Sequence, residues 1–368
     1  MSRAATPGHV LLTTDAVGGV WTYALDLGAG LAARGVKVTL ATLGPAPSPA
    51  QKRQAAGVPG LDMVDAGPTL DWIEDDPRAL DRAGQRLAEI ANDVGVDLVH
   101  LNSPAFAAAG FAAPVVGACH SCVATWWAAV RGGEPPTAFR ARTMRLAQGY
   151  AACHRLIAPS AAFATATEAV YGVRPSVVPN GRAAPSGPGP VRKRPVALAA
   201  GRLWDEAKGF AALDMAAGRM RGRVEAAGPL EGPNGAAARA RSVHALGSLD
   251  PIELAARLAD AAVFVSLARY EPFGLGVLEA AQAGCALALS DIPTFRELWD
   301  GAATFVNPDD PEAVAALLDG LLDDPAACRE AGARAARRAE RYSLDAMVKG
   351  TLAVYREALA PALEEAAA

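Results

Sequence analysis

Short apolar runs alternate along nearly the whole chain with longer stretches in which apolar residues recur every three or four positions. The first pattern fits buried strands, the second helices that lay one face on a sheet. Strands are predicted at 10–14, 36–43, 61–66, 98–102, 115–118, 156–159 and 176–179, with helices in the gaps, the first of them reaching residue 34. The segment Ala184-Pro-Ser-Gly-Pro-Gly-Pro190 then breaks the pattern, because its prolines lack N–H donors and its glycines favour neither element. Beyond it the alternation restarts, with strands at 196–200, 224–227, 262–266, 286–290 and 304–306 and helices such as 251–259 and 311–322. Alternating strands and helices predict the α/β class with parallel sheets. Two doubly wound units follow, 1–183 and 191–342, joined by a linker at 184–190, and no internal sequence repeat relates them.

A chain of 368 residues is long for a single core, which agrees with two domains. With 51% hydrophobic and 20% charged residues it has the composition of a folded protein. No apolar run approaches the ~20 residues that cross a bilayer. Met1-Ser2-Arg3 leads straight towards the first strand without a signal-peptide core, so the expected location is cytoplasmic. The formal charge of -4, with both signs spread evenly over the two halves, argues against nucleic-acid partners. Five cysteines make a disulfide framework improbable. Cys119-His-Ser-Cys122 spells C-x-x-C, but it lacks the second ligand pair of a zinc site and the small domain of a thioredoxin-like one.

Four stretches carry candidate chemistry. In Glu271-Pro-Phe-Gly-Leu-Gly-Val-Leu-Glu279, two carboxylates bracket a glycine-rich turn that opens a helix. Backbone N–H groups from Phe273, Gly274, Leu275 and Gly276 and the positive helix end suit a phosphate, while carboxylates accept hydrogen bonds from sugar hydroxyls. Glu279 falls one helical turn past Leu275, on the side of that turn. Gly201-Arg-Leu-Trp-Asp-Glu-Ala-Lys-Gly209 places two cations, Arg202 and Lys208, after the first strand of the second unit. In Thr14-Asp-Ala-Val-Gly-Gly-Val20, Gly18 and Gly19 permit a tight turn and close ligand approach. The loop lacks the G-x-G-x-x-G spacing of a nicotinamide site, and a purely conformational role for its glycines is the alternative. His120, just past the strand 115–118, can offer a neutral imidazole to a hydroxyl, with His100 as its weaker rival. Of Trp126 and Trp127, at least one is expected in the core.

Together these stretches resemble the E-x7-E retaining glycosyltransferases of the GT-B fold, family 4 in particular, over nearly the whole chain. The resemblance implies two Rossmann-like domains facing across a cleft, with a last helix, 343–359, crossing back so that 343–368 completes the first domain. It implies that the Gly18-Gly19 loop lies near the donor phosphate and that Arg202 and Lys208 clamp the diphosphate, although their spacing is one residue longer than in many relatives. In the same scheme Glu279 holds the ribose hydroxyls, Glu271 faces the transferred sugar, Leu249 of Gly247-Ser-Leu249 offers backbone contacts to the base, and His120 meets the donor sugar. The implied activity is hexosyl transfer from a nucleoside-diphosphate sugar to an acceptor hydroxyl, with retained configuration, by front-face displacement. His120, Glu271, Arg202 and Lys208 would be the catalytic set. The donor is a substrate, so no cofactor is expected, and neither is a metal, since no D-x-D pair is present. Base, sugar, acceptor and oligomeric state stay open. Basic helices hold some relatives to anionic lipid at the inner face of the membrane. Here 137–154 sets Phe139, Thr143, Leu146, Tyr150 and Cys153 on one stripe with Arg140, Arg142 and Arg145 around it. Three arginines are few, and a solvated face over a buried stripe is favoured over peripheral lipid contact. The alternatives are a GT-B phosphorylase or sugar-nucleotide epimerase, and a non-catalytic sugar-nucleotide-binding protein. The presence of both glutamates beside both cations argues against the last.

Overall fold

The computed structural model describes residues 6–184, 193–232 and 235–367, the final helix by backbone alone from residue 361. The chain divides into two compact units, Met1–Gly181 with Leu344–Ala368, and Arg182–Ser343. Residues 185–190 of the proposed linker lie outside the described residues.

The first unit holds strands β1 (His9–Asp15), β2 (Lys37–Leu43), β3 (Leu61–Gly67), β4 (Leu98–Leu101), β5 (Val115–Ala118), β6 (Arg155–Ala158) and β7 (Ser176–Val177). Their order in the sheet is β3-β2-β1-β4-β5-β6-β7, every pairing parallel. The second holds β8 (Arg194–Ala200), β9 (Arg223–Ala227), β10 (His244–Gly247), β11 (Ala261–Ser266), β12 (Ala286–Ser290) and β13 (Ala303–Val306) in the order β10-β9-β8-β11-β12-β13, again parallel. Both are Rossmann-like. In each the strand order reverses once, between β1 and β4 and between β8 and β11, and beyond the carboxyl ends of such strands open α/β sheets bind ligands.

Central strands are apolar on both faces because helices cover both. Leu11 joins the core beneath helix Pro77–Val94, whereas its neighbours Val10 and Leu12 join the opposite core, under helix Gly19–Ala32. The last helix, Leu344–Ala367, belongs to that second core through Val348, Leu352 and Tyr355. It crosses Gly19–Ala32 so closely that a Cβ on Gly30 would stand 2.4 Å from Val348. The predicted return of the C-terminal helix to the first unit is therefore observed.

One strand was not anticipated. β10 is a short, partly exposed edge element without an apolar run, so its sequence reads as a turn, and only pairing with β9 makes it a strand. The amphipathic stretch 137–154 proves to be a 3-10 turn, Thr137–Phe139, followed by helix Arg140–Ala152. Two of its arginines are engaged: Arg142 donates to the Ile73 carbonyl (3.0 Å) and pairs with Asp75, and Arg145 pairs with Asp81 (both 2.9 Å). Among the described residues no helix is long and apolar enough to cross a membrane. Trp126 and Trp127 correct the expectation of a core tryptophan: both are half-buried and tilted against each other at 6.4 Å, because helix Val123–Val130 buries the side of Ala124 and Thr125 instead.

Candidate active site

In the second unit β8 ends at Ala200, and Gly201 turns the chain with φ 149° and donates to the Ala227 carbonyl at the end of β9 (3.0 Å). The turn is crowded: a Cβ on Gly228 would lie 1.8 Å from the Gly201 carbonyl oxygen, so two backbones meet here that side chains would push apart. Arg202 follows. Its guanidinium is fixed by Asp205 (3.0 Å), which also caps the short 3-10 turn Glu206–Lys208, and it lies 5.5 Å from the Trp204 ring centre. Gly209 closes the loop in left-handed conformation against the Leu267 carbonyl, at the end of β11.

That contact delivers Lys208 to Glu271. The ammonium and carboxylate stand 2.6 Å apart, each about one-fifth exposed. The two residues thus form one ion pair between the loop after β8 and the loop after β11, the strands at the switch point. Gly274, at φ 92°, then opens helix Leu275–Gln282. A Cβ on Gly276 would lie 3.9 Å from the Ala200 carbonyl, which puts the opening of this helix beside the end of β8. The Phe273 side chain is buried and meets Tyr342 edge-on at 5.6 Å, so only its backbone can serve a ligand. Leu249 is half-buried in the loop after β10, whose Gly247 carbonyl accepts from Gly228 (2.8 Å) at the same end of the sheet.

Glu279 is half-buried one turn into the helix, and its carboxylate pairs with Arg182. Arg182 is also tied by its carbonyl to Gln282 (3.2 Å). Sequence reading missed this arginine, since it follows Asn180-Gly181 far from the other motifs. Its place opposite Glu279 comes from the chain entering the second unit beside that helix.

In the first unit Gly18, at φ 79°, begins helix Gly19–Ala32. A Cβ there would meet nothing within 4 Å, and both glycines are exposed. Asp15 at the end of β1 accepts from the Val17 N–H (2.7 Å) and shapes the turn. His120, beyond β5, sits 2.8 Å from the Asn102 side-chain oxygen through Nε2, with Tyr23 edge-on at 4.6 Å. Burial pushes its pKa down to about 4, so the imidazole is neutral at pH 7. His100 is fully buried with Nδ1 against the Tyr355 hydroxyl (2.9 Å), and its pKa falls to about 3, mainly through burial. It is a packing residue under the last helix and not a rival for the site. Burial also pushes the Cys119 thiol up to about 12, and Cys122 contacts Thr125 and Tyr171. Among the described residues no three His, Cys, Asp or Glu side chains gather as a metal site would require.

Residues 17–182 match the Glycosyltransferase Family 4 domain, and residues 194–324 match the Glycosyl transferases group 1 domain. The chain belongs to the GT-B glycosyltransferases of this family 4 and group 1 type. Within the family, the chain is 46% identical over 102 residues to glycogen synthase of Mycobacterium tuberculosis, a match covering 27% of this chain and 24% of that protein. It is 37% identical over 122 residues to the MMP alpha-(1->4)-mannosyltransferase of Mycolicibacterium hassiacum, covering 32% and 30%. The chain thus spans under a third of the length of these curated relatives. Solved structures match far more of it. Sucrose-phosphate synthase of Thermosynechococcus elongatus superposes with a TM-score of 0.77 at 20% identity, covering 96% of this chain and 99% of that one. HepE of Anabaena, in complex with UDP-glucose, superposes with 0.69 at 17% identity, covering 94% and 98%. At such identities the likeness establishes the GT-B fold. The predicted fold class and family therefore hold.

Proposed function

We propose that the chain is a retaining, metal-independent glycosyltransferase that moves a hexose from a nucleoside-diphosphate sugar to an acceptor hydroxyl. The observation that carries the reading is the ion pair Lys208–Glu271 at the switch point of the second sheet, with Arg202 and the opening of helix Leu275–Gln282 at the same strand ends. A departing diphosphate gathers negative charge as the glycosidic bond breaks. Two fixed cations and a helix N-terminus stabilise that charge without reorganisation. The carboxylate of Glu271 meets the positive charge developing on the sugar, and that of Glu279 accepts from ribose hydroxyls. His120, neutral, accepts from a sugar hydroxyl. The leaving diphosphate takes the acceptor proton. A solved structure of the same fold, HepE, is in complex with UDP-glucose, which supports a nucleoside-diphosphate sugar as donor.

The test begins with a thermal-shift screen of nucleoside diphosphates to fix the base, since a ligand that binds the folded state raises the melting temperature. Transfer from the matching α-linked sugar donor is then followed by proton NMR from the earliest times, with and without EDTA. An α-glycoside formed equally fast in EDTA is the expected result. A β-glycoside appearing first would make the enzyme inverting, with His120 as general base. Loss of activity on chelation, restored by magnesium or manganese, would require metal ligands not yet identified.

A further inference from the structure

Asn102 follows β4 and is buried. β4 pairs with β1 only as far as Leu12 opposite His100, so Thr13, itself buried, carries its carbonyl past the end of that ladder. Asn102 meets it there: its side-chain Nδ2 donates to the Thr13 carbonyl (2.6 Å), and its backbone N–H donates to Thr13 Oγ1 (2.8 Å). A carbonyl can only accept, so the amide nitrogen must face Thr13 and the amide oxygen must face His120. That oxygen is an acceptor too, so the proton between it and the imidazole, 2.8 Å away, belongs to His120 Nε2. The lone pair is then on Nδ1. Tyr23, edge-on to the ring, limits its rotation.

We infer that Asn102, held by Thr13, is a positioning residue that locks His120 in the Nε2–H tautomer and presents Nδ1 as acceptor to a hydroxyl of the transferred sugar. The inference rests on the reading of His120 as a sugar contact. It adds a direction to that contact: the hydroxyl donates and the histidine accepts. A donor in which this hydroxyl is replaced by hydrogen leaves Nδ1 unpaired and transfers more slowly, so the lock is also a specificity device.

Histidine-selective nitrogen NMR on the full chain reads the tautomer directly, with the His120 signal assigned by its absence in His120→Gln. The wild type should show Nε2–H. Asn102→Ala should give a mixture of tautomers and lower kcat/KM for the sugar donor by roughly 3- to 10-fold, the worth of one neutral hydrogen bond. Affinity for the nucleoside diphosphate alone should stay within about twofold of wild type, since the nucleotide-holding residues belong to the other unit and do not sense the tautomer. A wild-type Nδ1–H state overturns the lock even if Asn102→Ala does not fold, and so does an alanine variant that keeps Nε2–H. A tautomer that shifts while kcat/KM stays unchanged would uphold the lock and instead overturn the role given to His120 at the sugar.

Discussion

In the proposed function Lys208 cannot serve Glu271 and a diphosphate with full strength at once, and this competition gives a quantitative test. At an effective dielectric of about 20, unit charges 2.6 Å apart attract by ~6 kcal/mol. Desolvation and side-chain ordering offset most of that for groups one-fifth exposed, which leaves a net contribution of about 1–2 kcal/mol. Lys208→Met should therefore lower the melting temperature by roughly 2–8 °C, the scale for a unit of this size. Glu271→Gln should cost less, because a neutral amide can stay beside the ammonium. The double variant should recover part of the loss, since neither charge is then stranded. Ligand binding should split the two residues. Removing Lys208 weakens the nucleoside diphosphate, whereas Glu271→Gln releases the ammonium and tightens the same ligand by about 2- to 10-fold while transfer slows. Calorimetry on the two single variants and the double decides the matter. If Glu271→Gln weakens the nucleoside diphosphate as much as Lys208→Met does, the carboxylate itself touches the nucleotide, and the division of roles is wrong.

Three further outcomes are expected. Glu279→Ala should weaken nucleoside-diphosphate binding by about 10- to 100-fold, the equivalent of a charge-assisted hydrogen bond to ribose; unchanged affinity in calorimetry would remove Glu279 from the site and leave it as the partner of Arg182 alone. Arg202→Ala should depress kcat more than donor affinity, because charge grows on the diphosphate in the transition state, and a wild-type rate at saturating donor would end its role as a clamp. Stability should fall on acidification: His100 has its folded pKa depressed to about 3, so the unfolded chain, titrating near 6.5, binds a proton that the folded chain refuses. The loss begins as pH drops below ~6.5 and grows on the order of 1.4 kcal/mol per pH unit towards pH 3. Urea titrations at stepped pH should show that slope flattened in His100→Gln, and an equal slope in the variant would place the titration elsewhere.

The parallel two-unit architecture was legible because periodicity is a local property. A run such as Val10–Leu12, apolar on both faces, can be stable only inside a covered sheet, and its repetition with intervening helices leaves few folds to choose from. Most of the second unit's candidate site was legible for a similar reason: Arg202, Lys208, Glu271 and Glu279 stand in two short motifs whose glycines mark the turns that the structure needs at Gly201, Gly209 and Gly274. β10 escaped because an edge strand needs no apolar run, only a neighbour to pair with. The sequence by itself also could not say who partners whom. It offered Lys208 and Glu271 as separate roles, and the close approach of Gly209 to the Leu267 carbonyl joined them. Arg182 carries no motif and acquires its meaning from Glu279, 97 residues away. Likewise His120 was visible as a histidine at a strand end, but its tautomer depends on Asn102, just past β4, and on Thr13 of β1. Spacing along a chain fixes which residues share a turn or a face. Charge pairing and proton position are set by groups brought together across strands, and that information exists only once the sheet has formed.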